Sequence, residues 1–230
     1  MLCTDSLPWK TLPLFVLAVV GTNLLLFDAA DSTSLGLYLD SSFVWWTVLT
    51  CGFAHASVPH LVGNQIALLL VGSLCEGVHG HARTAALYMY GLVAGSVGFA
   101  AVEGICEGQR RAYLVGSSPG IYALVAAIGA HLLLNWSESR YGRVWAGVVA
   151  YLAVVDILVY FTSYDTSVAY GAHLFGALHG GLVGVCLLRN AVVHPFEKRM
   201  QAVCLLATCL LLTGTTSAFV TLHVQWERQE

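Results

Sequence analysis

Long apolar stretches separated by short polar connections occupy almost the whole chain. A helix needs about 20 residues to cross a ~30 Å hydrocarbon core, and runs of that order can be read at roughly 11–27, 54–75, 84–102, 115–135, 144–161, 169–188 and 202–222. Seven such runs leave little chain for anything else, so residues 1–230 are read as one membrane domain, an all-α polytopic transmembrane helical bundle with no soluble domain. The first run follows a single lysine, Lys10, and no small-residue cleavage site precedes Asp28, which predicts a retained span and not a signal peptide.

Composition agrees with the pattern. Hydrophobic residues make up 57% of the chain and charged residues only 10%, with a mean hydropathy of +0.74, values outside the range of soluble domains. The net charge of -3 comes from thirteen acids and ten bases without a basic tract, so no electrostatic footprint for nucleic acid exists. The bases that remain set the orientation. Lys10, Arg83, Arg140, Arg143, Arg189, Lys198 and Arg199 fall on one side, against Arg110, Arg111 and Arg228 on the other. This bias puts the N-terminus in the cytosol, and the odd number of spans carries the C-terminus to the lumen or exterior. Segments 28–50, 103–114 and 162–168 are then outer loops, and the first of them holds Asp28, Asp31 and Asp40 and no base.

Topology gives the scattered polar residues a common address. Spans two, four and six all run inward from the outer face, and His60 and Asn64 open span two, Ser118 opens span four and His173 opens span six. The four side chains are expected in one layer, ~8 Å down at 1.5 Å per residue. Polar groups in hydrocarbon are costly unless paired or wetted, and they mark functional cavities. The expected container is a hydrated pocket opening outward.

A serine and a histidine at one level fit a nucleophile and the general base that takes its proton. His60 and Asn64, four apart, stack on one helical face and can donate to the same oxygen, while the backbone N–H groups at the start of span four point donors where the helix dipole favours negative charge. Tyr122, four after Ser118, can pack its ring on the imidazole of His173. No acid stands near His173 in sequence, so a catalytic dyad is expected in preference to a triad. Gly176, Gly180 and Gly184 recur every four residues and would let span six approach a neighbour closely, bringing His173 toward Ser118.

Four stretches carry a family resemblance. WWTVLTCGFAHASVPHLVGN, Trp45 to Asn64, holds an HxxxN pattern; GSLCEGVHGHAR, Gly72 to Arg83, is followed by Tyr90 and GLVAGS, Gly91 to Ser96; GSSPGIYAL, Gly116 to Leu124, holds GxS; and AHLFGALHGGLVG, Ala172 to Gly184, holds the histidine. Each alone is a weak signal. In this order, on spans two, four and six, they resemble the rhomboid intramembrane serine proteases over roughly residues 43 to 200, and are similar to the animal secretory-pathway branch with its six-helix core plus a C-terminal seventh span. The resemblance implies Ser118 as nucleophile, His173 as base and then acid, His60 and Asn64 around the oxyanion, and Tyr122 as the ring beside the histidine. It implies as partners the lipid bilayer and single-span, type I membrane proteins, including growth-factor precursors of the epidermal growth factor class. Substrate would enter sideways past span five and unwind locally. The implied location is the Golgi, endosome or plasma membrane, with the site facing the lumen or exterior.

Three positions depart from the family pattern. Pro119 stands where the family has glycine, removing an N–H beside the nucleophile, although proline is tolerated in a helix's first turn. Trp45-Trp46 replaces a Trp-Arg pair, and Ser117 replaces alanine, adding a second hydroxyl. Ser118 is the expected nucleophile because it keeps Tyr122 at i+4. Pro119 also leaves open a second reading, a catalytically inactive rhomboid pseudoprotease that binds and traffics membrane clients. Short loops argue against a receptor, and the lack of inverted repeats argues against a carrier.

The remaining polar residues are expected to be structural. His55 is read as support for the first outer loop, Asp156 as a structural carboxylate deep in span five with no deducible partner, and Glu76 as an ion-pair partner of Arg83. His131 and His179 lie too far from Ser118 for chemistry. Of the seven cysteines only Cys51 and Cys106 fall near the outer face, where a disulfide could form; the thiols are otherwise read as small apolar residues. The Asn135-Trp136-Ser137 glycosylation pattern falls at the cytosolic end of span four and is expected to be unmodified. No HExxH or paired-cysteine motif is present, so neither a metal nor another cofactor is expected.

Overall fold

The computed structural model describes residues 12–29, 32–39, 43–106, 113–139, 141–162, 168–190 and 194–227. Helix α1 spans Leu14–Ala29. The single turns α2 (Ser32–Leu35) and α3 (Thr47–Thr50) lie on either side of the short strand β1 (Leu37–Tyr38). A 3₁₀ turn at Cys51–Phe53 leads to α4 (Val58–Ala67), which passes through a π turn at Leu68–Gly72 into α5 (Ser73–His79). Then follow α6 (His81–Cys106), strand β2 (Tyr113–Leu114), α7 (Ser118–Leu134), α8 (Gly142–Thr162), α9 (Tyr170–Leu187) and α10 (Glu197–Glu227).

Among the described residues, five helical rods are long and apolar enough to cross a membrane: Val58–His79, His81–Glu103, Gly142–Val159, Tyr170–Leu187 and Glu197–Thr221. Leu14–Phe27 and Ser118–Leu134 are shorter apolar helices. Much of their apolar surface faces outward, with Phe161 on α8 78% exposed and Val203 on α10 65% exposed. Exposure on this scale would be an aggregation hazard in water and is ordinary against lipid. The chain is an integral membrane protein.

Helix α7 lies at the centre, flanked by α6 and α9, because glycines on both neighbours remove the side chains that would hold them apart. A Cβ on Gly91 of α6 would fall 2.1 Å from Ala123 Cβ, and one on Gly180 of α9 would fall 2.2 Å from Ala123 Cα. Gly176 faces the Pro119 carbonyl and Gly184 faces Ala127 in the same way. The spacing that suggested a close approach of span six therefore acts on span four. Helix α10 packs along α6 and α9, whereas α8 packs mainly on α7 through Trp145, Val148, Val149 and Leu152.

Several details differ from the sequence reading. The second rod starts at Val58 and not near 54, since Ser57 caps it by accepting from the His60 N–H at 3.3 Å and Pro59 sits in its first turn. Glu76 does not serve as the partner of Arg83. It is 1% exposed and accepts from the N–H groups of Phe15 (2.8 Å) and Val16 (2.9 Å), with His81 Nδ1 as a further partner. The start of α1 leaves orphan donors, and a buried carboxylate satisfies them better than it would a mobile guanidinium. Cys51 is a buried free thiol whose Sγ lies 3.3 Å from Ser96 Oγ. Burial pushes it up to about 12, so it behaves as an inert core residue. Lys10, Arg110, Arg111, Arg140 and Arg228, on which the charge count partly rests, lie outside the described residues, as does the side chain of Cys106.

Candidate active site

The serine segment is held by the chain on both sides of it. Strand β2 pairs antiparallel with β1, Leu37 opposite Leu114 and Tyr38 opposite Tyr113, and the two tyrosine rings stack with centroids 5.7 Å apart. Two residues later Gly116 donates its N–H to the Cys51 carbonyl at 2.9 Å and adopts φ +119°, a conformation that favours glycine. The chain then enters α7 with Ser117 at the cap position and Ser118 as first helical residue.

The two hydroxyls part company here. Ser118 Oγ lies 2.9 Å from His173 Nε2, a direct hydrogen bond between residues 55 positions apart. Ser117 is fully buried, and its Oγ faces His55 Nε2 at 3.5 Å. The imidazole of His173 lies flat against Tyr122, centroids 4.3 Å apart at 15°, with Tyr170 edge-on at 5.8 Å. Packing on two sides restricts the ring to rotations that keep Nε2 on Ser118. Its other nitrogen, Nδ1, lies 3.3 Å from Asp156 Oδ1, within ion-pair reach though off the line of a good hydrogen bond.

His60 and Asn64 converge on the serine loop at Gly116. A Cβ placed on Gly116 would meet His60 Nε2 at 2.7 Å and Asn64 Nδ2 at 3.5 Å, so glycine is what lets both side chains reach the backbone beside Ser118. Asn64 Nδ2 donates one hydrogen to the His60 carbonyl at 3.1 Å, which leaves its second N–H for a ligand. His55 stands edge-on to His60 at 5.3 Å. Pro119 is buried between α6 and α9, against Gly95 and Gly176. It lies in the first turn of α7, where its missing N–H breaks no intrahelical bond.

The arrangement unites Ser118, His173, Tyr122, Gly116, His60 and Asn64 around one point. A hydroxyl bonded to an imidazole, with amide and ring donors across from it, can attack a carbonyl and hold the charge that develops on its oxygen. A model of the Rhomboid domain matches residues 42–190, which contain all of these residues. The chain belongs to the rhomboid family. It is 33% identical over 165 residues to Rhomboid-related protein 1 of Caenorhabditis elegans, covering 70% of this chain and 45% of that relative. It is 32% identical over 182 residues to Rhomboid-related protein 3 of Homo sapiens, covering 71% and 42%. Rhomboid-like protease 3 of Toxoplasma gondii is 27% identical over 150 residues, covering 64% and 52%. This rhomboid spans less than half the length of the first two relatives, and its family places it among intramembrane proteases and pseudoproteases.

Sequence reasoning missed three parts of the rhomboid site. The contact of Asp156 with His173 joins α8 to α9 and has no local signature, although a lone carboxylate in an apolar run was itself a signal. The Ser117 to His55 contact and the β1–β2 pair were not anticipated either. Two-residue strands are too short to show an alternating pattern.

Proposed function

We propose that this rhomboid is an intramembrane serine endopeptidase, one membrane domain over residues 1–230, that cleaves the membrane-spanning segment of single-span proteins near its outer end. The observation that carries the reading is the 2.9 Å contact between Ser118 Oγ and His173 Nε2; the protease named among the relatives supports it. In the reaction His173 Nε2 takes the Ser118 proton as Oγ bonds to the scissile carbonyl carbon. The oxyanion of the tetrahedral intermediate is held by Asn64, His60 and the Ser118 N–H. His173 then gives its proton to the amide nitrogen as the C–N bond breaks and the amine leaves. A water molecule, deprotonated by His173, attacks the acyl-enzyme and restores Ser118. The N-terminus is cytosolic and the site faces the lumen or exterior of the secretory pathway, with type I proteins as substrates. Locally unwound, helix-breaking segments are the preferred substrates, because a peptide bond inside a helix is shielded and small residues lower the cost of exposing it.

Pro119 favours a second reading, an inactive client-binding rhomboid, because it takes the place of a glycine beside the nucleophile. One experiment separates the two. The purified protein is treated with a fluorophosphonate probe alongside Ser118→Ala, Ser117→Ala, His173→Ala and Pro119→Gly, and shedding of a co-expressed type I substrate is followed in parallel. Labelling of the wild type and of Ser117→Ala, lost in Ser118→Ala and His173→Ala, is the expected result. An unlabelled wild type that sheds nothing, with labelling gained in Pro119→Gly, would establish the inactive form.

A further inference from the structure

Helix α8 is the loosest of the membrane rods, packed through one face and apolar on nearly all the rest. Its single carboxylate, Asp156, falls on the packed face, in line with Trp145, Val149 and Leu152, and its side chain is 24% exposed. A carboxylate at membrane depth is expensive unless it is paired. The partner of Asp156 belongs to the candidate site. Its Oδ1 lies 3.3 Å from His173 Nδ1, and the Tyr122 side chain is close enough to interact electrostatically with the same carboxylate. Asp156 thus faces the imidazole that is stacked on Tyr122.

The chemistry of the histidine gives this placement a purpose. For Nε2 to accept the Ser118 proton it must be bare, so the neutral ring must carry its hydrogen on Nδ1, the nitrogen that faces Asp156. When Nε2 has taken the proton the ring is a cation, and a carboxylate on its far side stabilises it. We infer that Asp156 is a positioning residue of this site, which fixes the Nδ1–H tautomer of His173 and supports its imidazolium. The inference rests on the protease reading, and it turns the expected dyad into a Ser118–His173–Asp156 array in which the third member is supplied by the most weakly packed helix. Any displacement of α8 would therefore withdraw the carboxylate from His173 and lower the activity of the site.

The test uses Asp156→Asn, which keeps size and a hydrogen-bonding group, Asp156→Leu, which removes both, and Asp156→Glu, with thermal midpoints in detergent to verify folding. Kinetics on a single-span substrate should show kcat down by roughly 10- to 100-fold for Asn and Leu, short of the loss in a fully buried triad, with KM within about threefold and partial recovery in Glu. The second readout does not need activity. The ¹⁵N shifts of His173, assigned by their loss in His173→Gln, should report the Nδ1–H tautomer in the wild type and a shift toward Nε2–H in Asp156→Leu. An unchanged tautomer with kcat within twofold in folded Asn and Leu variants would overturn the inference, as would a gain in activity, which would make Asp156 only a latch on α8. A wild type without labelling or cleavage would sink the protease reading by itself, while the tautomer measurement would still decide the role of Asp156.

Discussion

Gly116 is under two independent constraints. Its φ of +119° is rarely adopted by residues with a side chain, and an added Cβ would sit 2.7 Å from His60 Nε2. The conformational penalty alone is of order 1–3 kcal/mol, and the clash would push His60 and Asn64 away from the serine loop. Gly116→Ala is therefore expected to lower cleavage by about 100-fold or more, in line with loss of an oxyanion donor, while fluorophosphonate labelling of Ser118 falls less. Equal losses in both assays would mean that the substitution disorders the whole loop. Ser117 illustrates the opposite case, since it immediately precedes Ser118 and yet its hydroxyl faces His55 in a buried recess. Adjacent residues at a helix start point in different directions, so proximity in sequence says little about access to His173.

At the scale of elements, the contact between Ser118 and His173 depends on how closely α9 lies on α7. Gly180, two turns below His173, has Ala123 Cα only 2.2 Å from where its Cβ would be, and backbone atoms cannot yield as a flexible side chain would. Gly180→Val should force α9 outward, abolish labelling at Ser118 and lower the thermal midpoint, whereas Gly129→Val on the open face of α7, where a Cβ meets nothing within 4 Å, should leave labelling intact. Full labelling of Gly180→Val would show that the helices can repack without parting the pair. Helix α8 behaves differently, since its contact with the core is narrow and apolar except at Asp156. The segment before α4 is secured by backbone pairing, through β1–β2 and the Gly116 to Cys51 bond, which ties the serine loop to residues 65 to 77 positions earlier.

For the whole molecule, the histidine most depressed outside the membrane rods, among the described residues, is His55. Burial first, and then the neighbouring His60, hold it down at about 4 from an ordinary 6.5. A histidine depressed in the folded state binds its proton more readily when unfolded, so stability is complete above pH 6.5 and declines as the pH falls toward 4, by up to roughly 3 kcal/mol. The thermal midpoint of the wild type should fall over that window and that of His55→Gln should fall less; parallel curves would exclude His55 as the source. Much of the architecture was legible from the chain because membrane helices are announced by local composition, and the level of His60, Asn64, Ser118 and His173 follows from rise per residue and alternating direction. The contacts of Glu76 with the start of α1, of Ser117 with His55 and of Asp156 with His173 were not legible, since each joins elements far apart in sequence and depends on how helices rotate about their axes. By itself, then, the sequence determined an integral membrane bundle and which polar residues lie at one depth, because hydrophobicity and helical rise are local properties. Only the tertiary structure decided that Ser117 turns to His55 and that Asp156 stands behind His173, because those depend on glycine-mediated helix packing that no local window of the chain contains.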